Sequence, residues 1–114
     1  MKRIIVTGTR NIVKARKVLL FLDALTKRYW KDEKIVLRCS EDYGANLQAS
    51  VFFYEKNLPR EIVKGAPSVA RNKKLLELPV DRIFVFGHRD NWVEDKLLED
   101  AKEKNIPISF IPVD

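Results

Sequence analysis

Cysteine and histidine are nearly absent from this chain, which contains one of each, Cys39 and His88. A single cysteine excludes a disulfide framework and a cysteine metal cluster, and this usage favours a cytoplasmic location. No Cys/His pair and no Ser/His/Asp set has the spacing of a nucleophilic catalyst. The chemistry expected here is therefore binding, or catalysis by charged side chains.

Long apolar runs are also missing. No segment approaches the length of a membrane span, and the chain enters its first strand without a leader-like stretch, so no membrane partner is expected. The chain has 114 residues, of which 46% are hydrophobic and 33% are charged. These values predict one soluble globular domain over residues 1–114.

Acidic residues are scarce in the first third of the chain. The net charge is +6, and residues 1–38 carry eleven basic and three acidic side chains, whereas residues 79–114 carry five and eight. Such a basic surface is typical either of contact with a nucleic-acid backbone or of a solvated helix face, and the second interpretation is favoured. Its members lie mainly on the first helix and its exit: Lys14, Arg16, Lys17, Lys27, Arg28 and Lys31.

Strand-like and helical patterns alternate along the chain. Residues 4–6 lack polar alternation, which is typical of a strand buried on both faces of a parallel sheet. Five strands alternating with four helices predict an α/β fold, a doubly wound Rossmann-like domain whose parallel sheet has the order 3-2-1-4-5. Helices are predicted over residues 11–29, 45–58, 68–78 and 92–104, with Ser68 as an N-cap, and the later strands over residues 34–39, 60–64, 82–86 and 106–111.

The second helix is expected to have more than one apolar face. Leu47, Val51, Tyr54 and Leu58 recur at helical spacing and are predicted to face the core. Val51, Phe52 and Phe53 then supply more apolar surface than one buried face requires. This surplus predicts a homodimer through helix two.

Four short motifs, in order, resemble those of one family. Residues 4–11, IIVTGTRN, resemble the "IIVTGSRN" opening of small YspA-like proteins of the SLOG superfamily, Rossmann-like proteins related to DprA and to the LOG phosphoribohydrolases. Residues 44–46 are similar to the family's Gly-Ala-Asp, and residues 65–67 with Arg71-Asn72 are similar to its segment before helix three. Residues 81–87 and 105–108 resemble its last two strands.

The resemblance implies a nucleotide site that Arg71 faces, and it places Glu94 at the position of the LOG catalytic acid. LOG enzymes hold a phosphate with a "PGGxGT" loop, whereas residues 87–94 of this chain contain one glycine. We therefore expect binding of a nucleotide or nucleotide-derived anion at the carboxyl edge of the sheet. Two alternatives stay open: a nucleoside-monophosphate N-glycosidase using Glu94 and Arg71, and a DprA-like nucleic-acid binder using the basic first helix.

The expected site combines strand ends with helix N-termini, which attract anions. No cofactor is expected to be required and no metal site is predicted, although Glu41 and Asp42 could hold a weakly bound Mg²⁺. Arg71 and Asn72 are neighbours on one helix, so one of them is expected to turn away. The predicted ligand-binding residues are Gly8, Thr9, Arg10, Asn11, Ser40, Glu41, Gly44, Arg71, Asn72, Gly87, His88 and Arg89.

Overall fold

The computed structural model describes residues 1–8, 15–40, 44–64, 68–89 and 95–112. Strands and helices alternate throughout these ranges, as the sequence predicts. In chain order they are β1 (Lys2–Gly8), α1 (Ala15–Ala24), a π-helical turn (Leu25–Tyr29), β2 (Ile35–Cys39), α2 (Ala45–Glu55), β3 (Arg60–Ile62), α3 (Ser68–Leu75), β4 (Arg82–Phe86), α4 (Lys96–Glu103) and β5 (Ile108–Ile111).

The five strands form one sheet in the order β3-β2-β1-β4-β5. All four pairings between neighbouring strands are parallel. This confirms the predicted fold class and strand order. It also places the two short strands β3 and β5 at the edges of the sheet. Proline residues flank both strands, and an edge strand tolerates proline because one side of it needs no backbone donor.

Helices cover both faces of the sheet. Successive strand residues point to opposite faces, so neighbouring residues of β1 contact different helices. Ile4 and Val6 of β1 pack in a core cluster with α1 and α2, including the fully buried Phe53. Ile5 lies between them in sequence and packs in a second cluster with α3 and α4, which includes Leu98. The sheet is thus doubly wound, and β1 lies at its centre.

The first helix has a different end from the predicted continuous helix over residues 11–29. Residues 11–14 lie outside the described part of the chain, and after Ala24 the helix widens into the π-helical turn. The Thr26 hydroxyl donates to the carbonyls of Leu22 (3.0 Å) and Asp23 (3.2 Å), while the Trp30 amide donates to the Leu25 carbonyl (2.8 Å). Such hydroxyl bonds compete with the regular ladder and distort helices.

The predicted core face of α2 is wrong for three of its four residues, and only Leu58 packs against the core. Leu58 follows the helix, which ends at Glu55 rather than at residue 58. Leu47, Val51 and Tyr54 are exposed, whereas Phe52 and Phe53 are buried and pack edge to face at 6.0 Å. Apolar residues surround this helix, and the face with the two phenyl rings buries more apolar area, so that face turns inward. The surplus apolar surface therefore consists of Leu47, Val51 and Tyr54, and the homodimer stays a prediction.

The last two helices are shorter than predicted, each for a local reason. α3 ends at Leu75 rather than Leu78, and α4 begins at Lys96 because the Asp95 carboxylate caps it, accepting from the Leu98 amide at 3.1 Å. Residues 90–94 lie outside the described part, as does the Ser68 side chain that was predicted to cap α3. The strand bounds differ by two residues at the end of β3 and at the start of β5.

A partly buried cluster of charges joins the sheet to α3 beside β3. The Arg3 guanidinium donates two hydrogen bonds to the Glu61 carboxylate, at 2.8 and 3.1 Å, and Arg38 approaches the same carboxylate at 3.6 Å. The hydrogen bonds from Arg3 lower the pKa of Glu61, with a further contribution from the charge of Arg38, while burial opposes the shift. The ionised form of Glu61 therefore stabilises the fold.

This stabilisation has a definite pH dependence. Because the pKa of Glu61 is lowered in the folded protein, the contribution is complete above the ordinary glutamate pKa of about 4.3 and is lost as the pH falls through the lower folded value. At pH 7 the free energy of unfolding of wild type should exceed that of Glu61→Gln by about 0.5–1 kcal/mol, since the pair is partly exposed.

Urea denaturation of the two proteins at pH 7 and below pH 4 measures this difference directly. The exposed Glu55 on α2 offers a control, and Glu55→Gln should show no such pH-dependent difference. A difference between wild type and Glu61→Gln that persists unchanged at low pH would contradict the assignment.

Candidate functional site

A small cavity opens at the carboxyl edge of the sheet, on the face covered by α3 and α4. Its volume is about 230 Å³. Five segments meet there: β1, the end of β2, the start of α2, one side of α3, and the start of α4. The described residues that line it are Ile5, Thr7, Ser40, Asn46, Arg71, Asn72, Leu75, Asp95, Lys96 and Leu97.

The topology explains why these segments converge. In an open parallel sheet, ligands bind outside the carboxyl ends of the strands, where helices leave in opposite directions. Ile5 and Thr7 lie on the same face of β1, and Ser40 directly follows β2, which pairs with β1. The helices on this face then contribute the walls. The cavity thus lies at the carboxyl edge of the sheet, beside β1 and β2.

Arg71 and Asn72 of α3 both line the cavity. Both residues were predicted to bind the ligand, and their place in the wall is consistent with that prediction. The expectation that one of the two side chains would turn away from the site is wrong. Asn72 is only 7% exposed and Arg71 is half-buried. A guanidinium at this point can bind an anion with two parallel hydrogen bonds.

Ser40 and Asn46 form a hydrogen-bonded pair in the wall. The Asn46 Nδ2 donates to the Ser40 Oγ at 3.1 Å, and both residues are buried. Asn46 is the second residue of α2, whose preceding residue, Gly44, has no side chain to cap the helix. Ser40 was predicted from its position after β2. Asn46 was quoted only as part of a motif, so its role in the site was missed.

The start of α4 adds charges of both signs. Asp95 caps the helix with one carboxylate oxygen, and the Lys96 ammonium pairs with Glu99 at 3.1 Å. This hydrogen bond to Glu99 raises the pKa of Lys96, which stays cationic at neutral pH. Sequence reasoning missed Asp95 and Lys96, although an Asp preceding a helical pattern is an N-cap signal that could have located the helix start.

Five other predicted residues are described but do not line the cavity. Gly8 pairs with Phe86, and the Gly87 amide donates to the Ile111 carbonyl at 2.9 Å, so both glycines belong to the sheet. The Arg89 guanidinium lies over the Phe110 ring, 5.5 Å from its centroid. His88 is exposed, and Gly44 precedes α2. Thr9, Arg10, Asn11, Glu41, Asp42 and Glu94 lie outside the described residues.

The described lining groups can hold a polar ligand. Within the described ranges, no three His, Cys, Asp or Glu side chains group as a metal site. Burial raises the pKa of the Cys39 thiol, which belongs to the core under α1 and α2 rather than to the cavity. The wall combines a guanidinium, an ammonium, a carboxylate, two amides and two hydroxyls with three aliphatic side chains.

A larger depression of about 740 Å³ lies beside the edge strand β3. It is bordered by exposed side chains such as Tyr54, Glu55 and Pro59. Polar groups in an enclosed, convergent wall fix a ligand better than a wide open surface does. We therefore assign the candidate site to the smaller cavity.

The basic surface around α1 is partly described. Lys17 donates to the Pro112 carbonyl at 3.2 Å, and Lys27 pairs with Asp23 at 3.1 Å. Lys14 lies outside the described residues, and nucleic-acid binding by this surface stays a prediction.

Of the described helices, none has the length and apolar content to cross a membrane. No family model, curated protein or solved structure matches this chain.

Proposed function

We propose that this chain binds a nucleotide-like anion in the cavity between α3 and α4. The observation that carries the proposal is that one cavity wall combines two cationic residues, Arg71 of α3 and Lys96, the first residue of α4. Both side chains are positively charged and attract anions.

The size of the cavity and its combination of charged and apolar lining residues favour a phosphorylated organic molecule over a bare ion. At about 230 Å³ the cavity lies below the usual range for a whole drug-sized ligand, roughly 300 Å³ and above. It suits one part of a nucleotide, while the remainder extends towards the open side. Ile5, Leu75 and Leu97 provide apolar contact beside the charged groups.

A thermal-shift screen against ribonucleoside mono-, di- and triphosphates tests the proposal. A ligand that binds only the folded protein raises the unfolding temperature by mass action. Inorganic phosphate serves as the comparison, since a site for a nucleotide should respond more strongly to the nucleotide at equal concentration. No shift with any nucleotide at millimolar concentration would contradict the proposal.

Arg71 provides the sharpest variant for this site. Arg71→Ala should weaken the binding of the tightest nucleotide from the screen by about 1–3 kcal/mol, the loss expected for a hydrogen bond to a charged group. Lys73→Ala is the matched control, because Lys73 lies on the same helix and is exposed outside the cavity. Calorimetry on the three proteins measures the effect. Equal affinity in wild type and Arg71→Ala would rule out the assignment.

A further inference from the structure

Asn46 carries an unsatisfied polar atom in the cavity wall. The residue is 6% exposed, and its Nδ2 donates to Ser40. Among the residues that the structure describes, none donates to its Oδ1, which is itself buried. A buried amide oxygen without a donor costs about 1–3 kcal/mol. Because Asn46 lines the cavity, a rotation of its side-chain amide can present Oδ1 to a bound ligand, which then supplies the missing hydrogen bond.

With the amide oriented so that its Nδ2 donates to Ser40, the ligand group that meets Oδ1 must be a hydrogen-bond donor. A phosphate ester at neutral pH carries mostly acceptor oxygens and cannot donate to Oδ1. A hydroxyl both donates and accepts, so it satisfies Asn46 in either orientation of the amide. The Asp95 carboxylate in the same wall also favours a hydrogen-bond donor on the ligand, since a carboxylate accepts hydrogen bonds and repels phosphate.

The cavity wall favours a sugar over a base. None of the described lining residues is aromatic, whereas proteins commonly hold bases by stacking them on aromatic side chains. Thr7 and Ser40 contribute hydroxyls, and Asn46 and Asn72 contribute amides. Groups of this kind pair with the vicinal hydroxyls of a pentose.

We infer that Asn46 accepts a hydrogen bond from a ribose hydroxyl, so that the site binds ribonucleotides more tightly than their dideoxy counterparts. This inference rests on the proposed function and adds the sugar class to it. Arg71 and Lys96 then hold the anionic part of the ligand, and Asn46 fixes the sugar. The two roles fall on different residues and can be separated by mutation.

Calorimetry with paired probes provides the test. The probes are the four ribonucleoside 5′-monophosphates and their 2′,3′-dideoxy counterparts, titrated into wild type, Asn46→Ala and Arg71→Ala. Wild type should bind the tightest ribonucleotide at least about fivefold more tightly than its dideoxy partner, because the latter leaves Oδ1 without a donor. In Asn46→Ala this ratio should fall to about one, whereas Arg71→Ala should weaken both probes and keep the ratio.

The outcomes distinguish the two proposals. If no probe of either series binds wild type and no di- or triphosphate shifts its unfolding temperature, the proposed function fails and the sugar assignment fails with it. If both series bind wild type equally, the proposed function stands and the role of Asn46 is overturned. A ratio that persists in a folded Asn46→Ala protein, with folding checked by circular dichroism, would show that the hydroxyls are read elsewhere. The wild-type comparison decides the matter even if Asn46→Ala does not fold.

Discussion

Gly8→Ala should lower the free energy of unfolding by about 2–5 kcal/mol, a large part of the stability of a domain of this size. Gly8 ends β1 with a φ of +145°, a conformation that side chains rarely adopt. An added Cβ would lie 2.5 Å from the Phe86 carbonyl oxygen and 2.7 Å from the Phe86 nitrogen. Neither atom can move without breaking the pairing of β1 with β4.

Urea denaturation of wild type and Gly8→Ala measures this loss. Thr7→Ala, one residue earlier, is the comparison, because it introduces the same residue into β1 without a positive φ. We expect it to cost about 1 kcal/mol, the typical effect of a single substitution. If Gly8→Ala costs no more than Thr7→Ala, the close approach of the central strands is not as described.

Arg38→Met should lower the free energy of unfolding by about 2–4 kcal/mol. Arg38 is 8% exposed on β2, and its guanidinium donates to the carbonyls of Leu75 (2.8 Å) and Lys74 at the end of α3. The Lys74 carbonyl also accepts from the Glu77 amide at 3.3 Å. The cation bonds both terminal carbonyls and favours the negative end of the helix. Methionine fills a similar volume but leaves the carbonyls and Glu61 without that charge.

Arg82→Met is the matched control for Arg38→Met. Arg82 is partly buried on β4, and its Nη1 donates to the Ser109 Oγ at 2.7 Å. Its loss should cost about 1 kcal/mol. Comparable losses in the two variants would show that the end of α3 does not depend on Arg38.

The strand order could be predicted because its signals are local and repeated. Ile4, Ile5 and Val6 form an uninterrupted β-branched run, and each later strand is separated from the next by a helical pattern. Right-handed crossovers then permit few arrangements of the sheet. The face of α2 could not be predicted in this way, since Leu47 and Val51 share one face while Phe52 and Phe53 share another. The bulk of the phenyl rings decided the outcome.

The site could be predicted only in part. Ser40 was found because it directly follows a strand, and Arg71 with Asn72 because of a motif resemblance. Thr7 was missed because β-branched residues are common in strands, so a threonine there does not by itself indicate a function. Asn46 was missed because its significance depends on an unsatisfied oxygen, which is a property of packing rather than of sequence.

The shared wall of Arg71 and Asn46 is the central feature of the site, and nuclear magnetic resonance can test it directly. ¹⁵N-labelled protein would be titrated with the tightest ribonucleotide from the screen. We expect the largest amide shifts at Thr7, Asn46, Arg71 and Lys96, at the carboxyl edge of the sheet. Shifts centred instead on Lys2 and Lys34, at the amino ends of β1 and β2, would contradict the account.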